Sequence, residues 1–167
     1  AQRTWEIQAT QQQLRATIDA IPDPLFEIDQ EGRYCSVHSQ RAELLPGQAD
    51  ALIGRNVTEV LPALAALSVM DMLQEAQAQG WSTGRQIMLT LPGLGVTWFE
   101  LSAARKSTSP SATPRFIVLS RDITERKRSQ EQLQLTAQVF DQSSEAIAIA
   151  VASHTIVRIN RAFTRIT

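Results

Sequence analysis

The start of the chain carries apolar residues three and four positions apart, which is the spacing of one face of a helix. Residues 4–21 therefore predict an amphipathic helix. Pro22 and Pro24 end this helix, because proline lacks an amide donor and disfavours helical geometry in the residue before it. Gln11 falls within the stripe and weakens it, so we expect a modest coiled-coil seam between two copies of the chain. The seam residues are Ile7, Leu14, Ile18 and Ile21.

The spacing of apolar residues then changes to two, which is typical of strands. Leu25–Asp29 and Tyr34–His38 predict two strands, and a turn at residues 30–33 joins them into a β-hairpin. Residues 40–61 predict short helical pieces, because one proline and two glycines interrupt any longer helix. Residues 61–79, rich in alanine, leucine and methionine, predict a longer helix that ends at a glycine.

Alternating segments return in the second half of the chain. They predict three strands, at residues 86–91, 96–103 and 115–120. Residues 106–114 contain serines, threonine and two prolines and predict a mobile surface loop between the last two strands. Strands that are separated by a helical block and then clustered favour an α+β fold with an antiparallel sheet.

The last predicted strand passes without a break into the polar segment RDITERK at residues 121–127. Asp122 is a suitable cap for a helix that starts near Ile123, and Glu125 lies three residues on, as in a capping box. A strand that continues directly into an exposed helix is a mechanical joint, so we expect a shift of the sheet to move the helix. The residues expected to relay such a shift are Asp122, Ile123, Thr124 and Glu125.

Four segments, in this order, resemble PAS sensory domains of the type that ends in an Asp-Ile-Thr motif. They are IPDPLFEIDQEGRY, LIGRNVTEVLP, WFELSA and RDITERK, and the resemblance covers about residues 18–124. It implies a five-stranded antiparallel sheet with helices on one face. It also implies an N-terminal amphipathic helix before the domain and a linker helix after it.

A later stretch of the chain is similar to the beginning of this domain. Residues 145–150 (EAIAIA) resemble residues 24–29 (PLFEID), and the strand that follows is repeated with Asn160 where the first copy has His38. A repeat of this length indicates tandem modules, and a C-terminal hairpin that belongs to the first domain is the alternative. The expected division is an N-terminal helix at 1–17, a PAS domain at 18–124, a linker helix at 125–138 and the truncated start of a second PAS domain at 139–167.

Composition and charge narrow the class of protein. The hydrophobic fraction is 43% and the charged fraction is 20%, which suits a globular domain, and the net charge of −1 offers no bulk attraction for nucleic acid or an anionic membrane. No run approaches the roughly 18 apolar residues of a membrane span. We therefore expect a cytoplasmic segment with no nucleic-acid partner and no direct membrane contact, and we leave open whether the full-length protein is membrane-anchored.

The chain shows no pattern of residues typical of catalysis or metal binding. It has no nucleophile elbow, phosphate loop or zinc-protease motif, and His38 and His154 lie far apart along the chain. Cys35 is the single cysteine, which excludes an internal disulfide. The resemblance argues against haem, since residues 61–91 contain no histidine, and against flavin photochemistry, since Cys35 is not in the position of the reactive cysteine. We expect no catalytic residue, no metal and no cofactor, and leave an unidentified small molecule open.

A cavity between the sheet and the helices is the usual ligand site that the resemblance implies. Arg85, Tyr34 and Trp98 are the polar candidates near it, and a fully packed core without a ligand is the alternative. The residues expected to line the cavity are Phe26, Ile28, Leu52, Ile53, Val57, Val60, Leu64, Leu67, Met70, Met88, Phe99 and Leu101.

The resulting functional hypothesis is a non-enzymatic sensory and dimerisation module of a multidomain bacterial-type signalling protein. It would relay ligand or partner binding through the Asp-Ile-Thr joint to a downstream domain. The arrangement resembles regions that precede diguanylate cyclase (GGDEF), EAL phosphodiesterase or histidine kinase domains, with diguanylate cyclase as the first expectation. The alternatives are a ligand-free structural spacer and dimerisation domain and a cryptic enzyme, and the latter predicts a buried, perturbed carboxylate or histidine in a cleft.

Overall fold

Five antiparallel strands form one sheet in the first of two units, which ends at Thr124. The strands are β1 (Leu25–Asp29), β2 (Tyr34–His38), β3 (Trp81–Leu91), β4 (Gly95–Arg105) and β5 (Arg115–Asp122), and they lie in the order β2-β1-β5-β4-β3. The computed structural model describes residues 2–107 and 112–166. Residues 108–111 of the predicted mobile loop therefore lie outside the described residues.

The helices between β2 and β3 cover one face of the sheet. They are a 3₁₀ turn (Ala42–Leu44), α2 (Ala49–Leu52), α3 (Val57–Val60) and α4 (Ala63–Gln79). Helix α1 (Gln2–Asp19) precedes the sheet and buries none of its residues. Helix α4 lies against β3 and β4, and it ends where Gly80 adopts a left-handed conformation and donates its amide to the carbonyl of Ala76. The predicted α+β fold, with a five-stranded antiparallel sheet and helices on one face, is confirmed.

Helix α4 turns a different face to the sheet from the one that its leucines suggested. Leu64 and Leu67 were predicted to point inward, but their side chains are 81% and 61% exposed. Small side chains at 65, 66 and 76 face the sheet instead, because they let the helix backbone approach it closely. The buried residues of α4 are Ala65, Ala66, Val69, Met72, Leu73 and Ala76, which also follow helical spacing.

The unit that begins at Glu125 contains most of a long helix and a second hairpin. Its elements are α5 (Thr124–Gln142), β6 (Ala148–Ala150), β7 (Ile156–Ile159) and α6 (Arg161–Ile166), with β6 antiparallel to β7. Asn160 and Ala162 are buried, while the apolar residues of both strands are exposed. Among the described residues, no helix of the chain is long and apolar enough to cross a membrane.

Candidate ligand cavity and signal joint

A small apolar cavity lies inside the first unit, between the sheet and the helices that cover it. The volume of this cavity is about 30 Å³. That space holds a water molecule or one additional methyl group, and is about a tenth of the roughly 300 Å³ at the lower end of ligand pockets. Its walls are Phe26, Ile28, Tyr34, Leu44, Pro46, Leu61, Val69, Ile87, Leu89, Phe99, Leu101, Val118 and Ser120.

Four of the predicted lining residues, Phe26, Ile28, Phe99 and Leu101, lie on this wall. Leu52 and Val57 are buried in the core but do not line the cavity, and Val60 and Met70 are half-buried beside that core. The prediction is wrong for the remaining four residues, which are exposed. These are Ile53, Leu64, Leu67 and Met88.

The error at Met88 is an error of strand parity. Side chains alternate between the two faces of a strand, so choosing Met88 as inward-facing excluded its neighbours Ile87 and Leu89. The structure buries Ile87, Leu89 and Leu91 and leaves Met88 on the outer face. The sequence contained a usable signal, since these three alternate residues form the longer apolar set in the segment.

Two residues give the cavity wall a polar group. Tyr34 is buried, and burial raises the pKa of its phenol, which stays protonated at neutral pH. Ser120 is buried on the β5 side of the wall. The other two polar candidates point elsewhere: Arg85 pairs with Glu75 at 3.1 Å, and Trp98, which is paired with Met88 and precedes Phe99, faces the outer side of the sheet.

The covering segment before α4 is bound to the turn between β1 and β2. The amide of Val57 donates to the carbonyl of Gly32 at 2.9 Å, and the side-chain amide of Asn56 donates to the carbonyl of Glu31 at 2.7 Å. Gly32 has a φ of +90°, and a Cβ at this position would lie 2.7 Å from the sulfur of Met70. The turn therefore needs glycine for both its conformation and its contact with α4.

The joint between β5 and α5 is held by a short chain of hydrogen bonds. The hydroxyl of Thr124 donates to Oδ1 of Asp122 at 2.6 Å and accepts from the amide of Trp98 at 2.9 Å. The amide of Thr124 donates to the same carboxylate oxygen at 2.9 Å, and the amide of the buried Ile123 donates to the carbonyl of Trp98 at 2.8 Å. Trp98 of β4 is thus bonded to both Ile123 and Thr124, where α5 starts. Glu125 is exposed.

The joint and the cavity share the same two strands. Phe99 and Ser120 line the cavity, and Phe99 is directly opposite Asp122 in the register of β4 and β5. Trp98, which holds the joint, is the neighbour of Phe99 in the chain. The cavity wall at Phe99 and the joint at Asp122 and Thr124 are therefore one residue step apart.

The outer face of the sheet carries an ionic cluster around Glu27. Arg115 and Lys106 lie 3.0 and 3.4 Å from its carboxylate. Burial alone would raise the pKa of Glu27, but hydrogen bonds and charge attraction from these two cations outweigh it and leave the pKa below the usual 4.5. Burial also raises the pKa of the half-buried Cys35 thiol. Across the described residues, no three His, Cys, Asp or Glu side chains are grouped so as to hold a metal ion.

Helix α1 buries none of its residues in its own unit. Ile7 and Leu14 of the predicted seam are exposed, together with Trp5, and Ile18 and Ile21 are half-buried. The apolar stripe of the helix is therefore free to contact another molecule.

Comparison with known families gives two matches. A family model described as "PAS fold" matches residues 18–128, and a second, described as "PAS domain", matches residues 134–167. No curated protein shows a significant match to the chain.

Solved structures with the same fold come from several microorganisms. The PAS domain of a protein from Colwellia psychrerythraea is 18% identical, with 70% of this chain and 99% of that chain covered and a TM-score of 0.57. VqmA from Vibrio cholerae, described as a LuxR-type receptor, is 15% identical over 68% of this chain and 52% of that chain, with a TM-score of 0.55. The PAS domain of an HTR-like protein from Haloarcula marismortui is 21% identical over 73% and 98%, with a TM-score of 0.50. At these identities the likeness shows the fold.

Proposed function

This chain belongs to the PAS family, and from that membership we propose that it is a non-enzymatic sensory and dimerisation module of a multidomain signalling protein. Its task is to convert the binding of a ligand or a partner into a change at the start of α5. The signal leaves through Asp122, Ile123, Thr124 and Glu125 to a downstream output domain.

The observation that carries this proposal is the contiguity of the cavity wall and the joint. Phe99 belongs to the wall, and its neighbour Trp98 is bonded to both Ile123 and Thr124. A ligand or a repacked core that moves Phe99 changes the two hydrogen bonds at Trp98. Helix α5 begins at those bonds, so its first turn responds to the state of the core.

The ligand, in this proposal, is a small molecule that enlarges the present cavity when it binds. A structure of the similar protein VqmA is described as bound to DPO, which supports small-molecule binding by this fold. The cavity of this chain is mostly apolar, with Tyr34 and Ser120 as its polar groups. We therefore expect a compact, largely apolar ligand that makes one or two hydrogen bonds.

Residues 139–167 are, in this proposal, the truncated start of a second PAS domain, after a linker helix at 125–138. Hairpin β6–β7 repeats hairpin β1–β2 in its pairing. Each carries one unpaired residue in its second strand, Cys35 in the first and Val157 in the second. The family match at 134–167 supports the same division. The PAS domain at 18–124 and the helix at 1–17 complete the arrangement.

Dimerisation is assigned to α1, through Ile7, Leu14, Ile18 and Ile21, because the apolar stripe of this helix is not buried within its own unit. Two such helices side by side would remove these residues from water.

The output domain is proposed as a diguanylate cyclase, with histidine kinase as the alternative. That choice rests on the analogy with other PAS proteins and on no residue of this chain.

A core substitution tests the coupling between cavity and joint. Val69 reaches the cavity from α4, far along the chain from the joint, so Val69→Ile adds one methyl group to the space that a ligand would fill. We expect altered hydrogen exchange at the amides of Trp98, Ile123 and the first turn of α5. Val96→Ile, on an exposed position of β4, is the matched control and should leave these amides unchanged. If these amides exchange at wild-type rates in a folded Val69→Ile protein, the proposed coupling between cavity and joint is wrong.

The second candidate function is a structural spacer that dimerises and binds nothing. The small volume of the cavity, about 30 Å³, favours it. Native mass spectrometry of the purified chain, compared with its denatured mass, separates the two candidates. A dimer that releases a small molecule on denaturation supports the sensor, whereas a dimer without one, and without a thermal shift across a metabolite panel, supports the spacer.

A further inference from the structure

His38 occupies a special position at the end of the first hairpin. Its Nε2 lies 3.2 Å from a carboxylate oxygen of Asp19, the last residue of α1. The contact between this nitrogen and the carboxylate does not have the geometry of a hydrogen bond. Among the described residues, Nε2 of His38 is the one buried side-chain polar atom without a hydrogen-bond partner. A titratable ring therefore touches the C-terminal end of the helix that carries the proposed dimer seam.

The internal repeat shows what the same position does in the second copy. In the first hairpin Val37 is paired with Phe26 and Tyr34 with Ile28, around the unpaired Cys35. The second hairpin has the same sequence of pairs around its own unpaired residue. When the two bulges are superposed, Asn160 corresponds to His38, and Asp141, near the end of α5, corresponds to Asp19.

Asn160 fastens the end of its preceding helix with uncharged hydrogen bonds. Its side-chain amide donates to the carbonyl of Phe140, in the last turn of α5, at 3.0 Å and to the carbonyl of Glu145 at 2.8 Å. Its side-chain oxygen accepts from the amides of Ile147 and Phe163 at 2.9 and 3.0 Å. All four bonds are independent of pH, and they connect helix, hairpin and α6.

We propose that His38 and Asp19 form a protonation-dependent latch on the end of α1. A neutral imidazole gains little from a carboxylate at 3.2 Å with poor geometry, whereas an imidazolium forms a charge-assisted pair with it. The end of α1 is therefore held when His38 is protonated and released when its ring is neutral. In the first module the contact that holds the end of α1 depends on pH, whereas in the second module the contact that holds the end of α5 does not.

The charged groups around His38 support this assignment. Asp19 faces it from α1, and Leu25, its partner on β1, is apolar. Glu43 lines the same surface groove as His38, but its carboxylate is paired with Arg41 at 2.9 Å. Asp23, at the same end of the sheet, is paired with Arg121. Asp19 is thus the acid that is left to respond to the charge on His38.

The test is hydrogen exchange of the full chain at about pH 5.5 and about pH 8, on either side of an ordinary imidazole titration. Rates are corrected for intrinsic exchange, and the readout is the protection of the amides at residues 16–21. In the wild type we expect about fivefold more protection at the lower pH, the size of a partly exposed ion pair. His154, the other histidine, is exposed, so His154→Asn should keep this ratio.

Two substitutions decide the outcome. His38→Asn places the residue of the second repeat in the first, and Asp19→Asn removes the acid from an exposed helix end, where little else depends on it. Both should bring the ratio of protection to one while the amides of β4 stay protected. A wild-type ratio of one, or a ratio that persists in either variant, overturns the latch. The result does not depend on whether the cavity binds a ligand, so it stands or falls separately from the sensory function.

Discussion

Thr124→Val removes the hydroxyl that connects β4, β5 and α5, and keeps nearly the same side-chain shape. The hydroxyl donates to the Asp122 carboxylate at 2.6 Å and accepts from the Trp98 amide at 2.9 Å. Valine is also β-branched, so the helix propensity at this position changes little. Any loss of stability therefore reports the two hydrogen bonds.

The magnitude follows from the kind of bond and from its exposure. A hydrogen bond to a charged group contributes about 1.5 to 3 kcal/mol and a neutral one about 1 kcal/mol. Both bonds of Thr124 are partly buried, and Asp122 keeps its bond from the amide of Thr124. We therefore expect a decrease of about 2 kcal/mol in the free energy of unfolding, which for a unit of this size corresponds to a Tm lower by about 8 °C.

Urea denaturation and thermal melting, followed by circular dichroism, measure this change. Thr136→Val is the control, since the hydroxyl of Thr136, also in α5, bonds only the carbonyl of Gln132 on an exposed helix face. We expect a change within about 0.5 kcal/mol there. If Thr124→Val is as stable as the control, the joint is held by packing of Ile123 and the hydrogen-bond argument is wrong.

Two further predictions concern the turn and the ionic cluster. Gly32→Ala should lower the unfolding free energy by about 2 kcal/mol, because it combines an unfavourable φ with a clash at Met70. The control Gly54→Ala also lies at positive φ, but in open space, so it should lower the unfolding free energy by about half as much in the same urea titration. Equal losses in the two variants would contradict the clash. Glu27→Gln should lower stability by about 1 kcal/mol near neutral pH. Since the pKa of Glu27 is lowered by folding, this difference should shrink as the pH falls from 4.5 through the folded-state pKa, and a difference that stays constant on acidification would refute the charge argument.

The elements of this protein follow from short-range patterns that can be read along the chain. Pro22 and Pro24 end α1, Gly80 ends α4, and alternation marks the strands, because these effects act within a few residues. The Asp-Ile-Thr segment was found in the same way, since capping by Asp122 reaches only to Thr124. Strand β3 proved longer than predicted, starting at Trp81, because a bulge between Ser82 and Arg85 interrupts the alternation.

The cavity could be predicted only in part. A strand pattern defines two faces but does not indicate which face is covered by other elements. The sequence therefore predicts Met88 as a buried residue, whereas the structure buries its neighbours Ile87 and Leu89. Helix α4 offered two apolar stripes, and the one with Leu64 and Leu67 is exposed because the alanine-rich one allows a closer approach to the sheet. Such choices depend on the element that packs opposite, which is distant in sequence.

By itself, the sequence determined the order of the elements, the α+β class, the repeat and the place where strand becomes helix, since each depends on local spacing. The tertiary structure decided which faces are buried, how small the cavity is, and that Trp98 holds the joint. It also decided that His38 meets Asp19 while Asn160 fastens the matching helix end. These facts arise from contacts between segments that are brought together only when the backbone hydrogen bonds and apolar faces of the whole unit are satisfied at once.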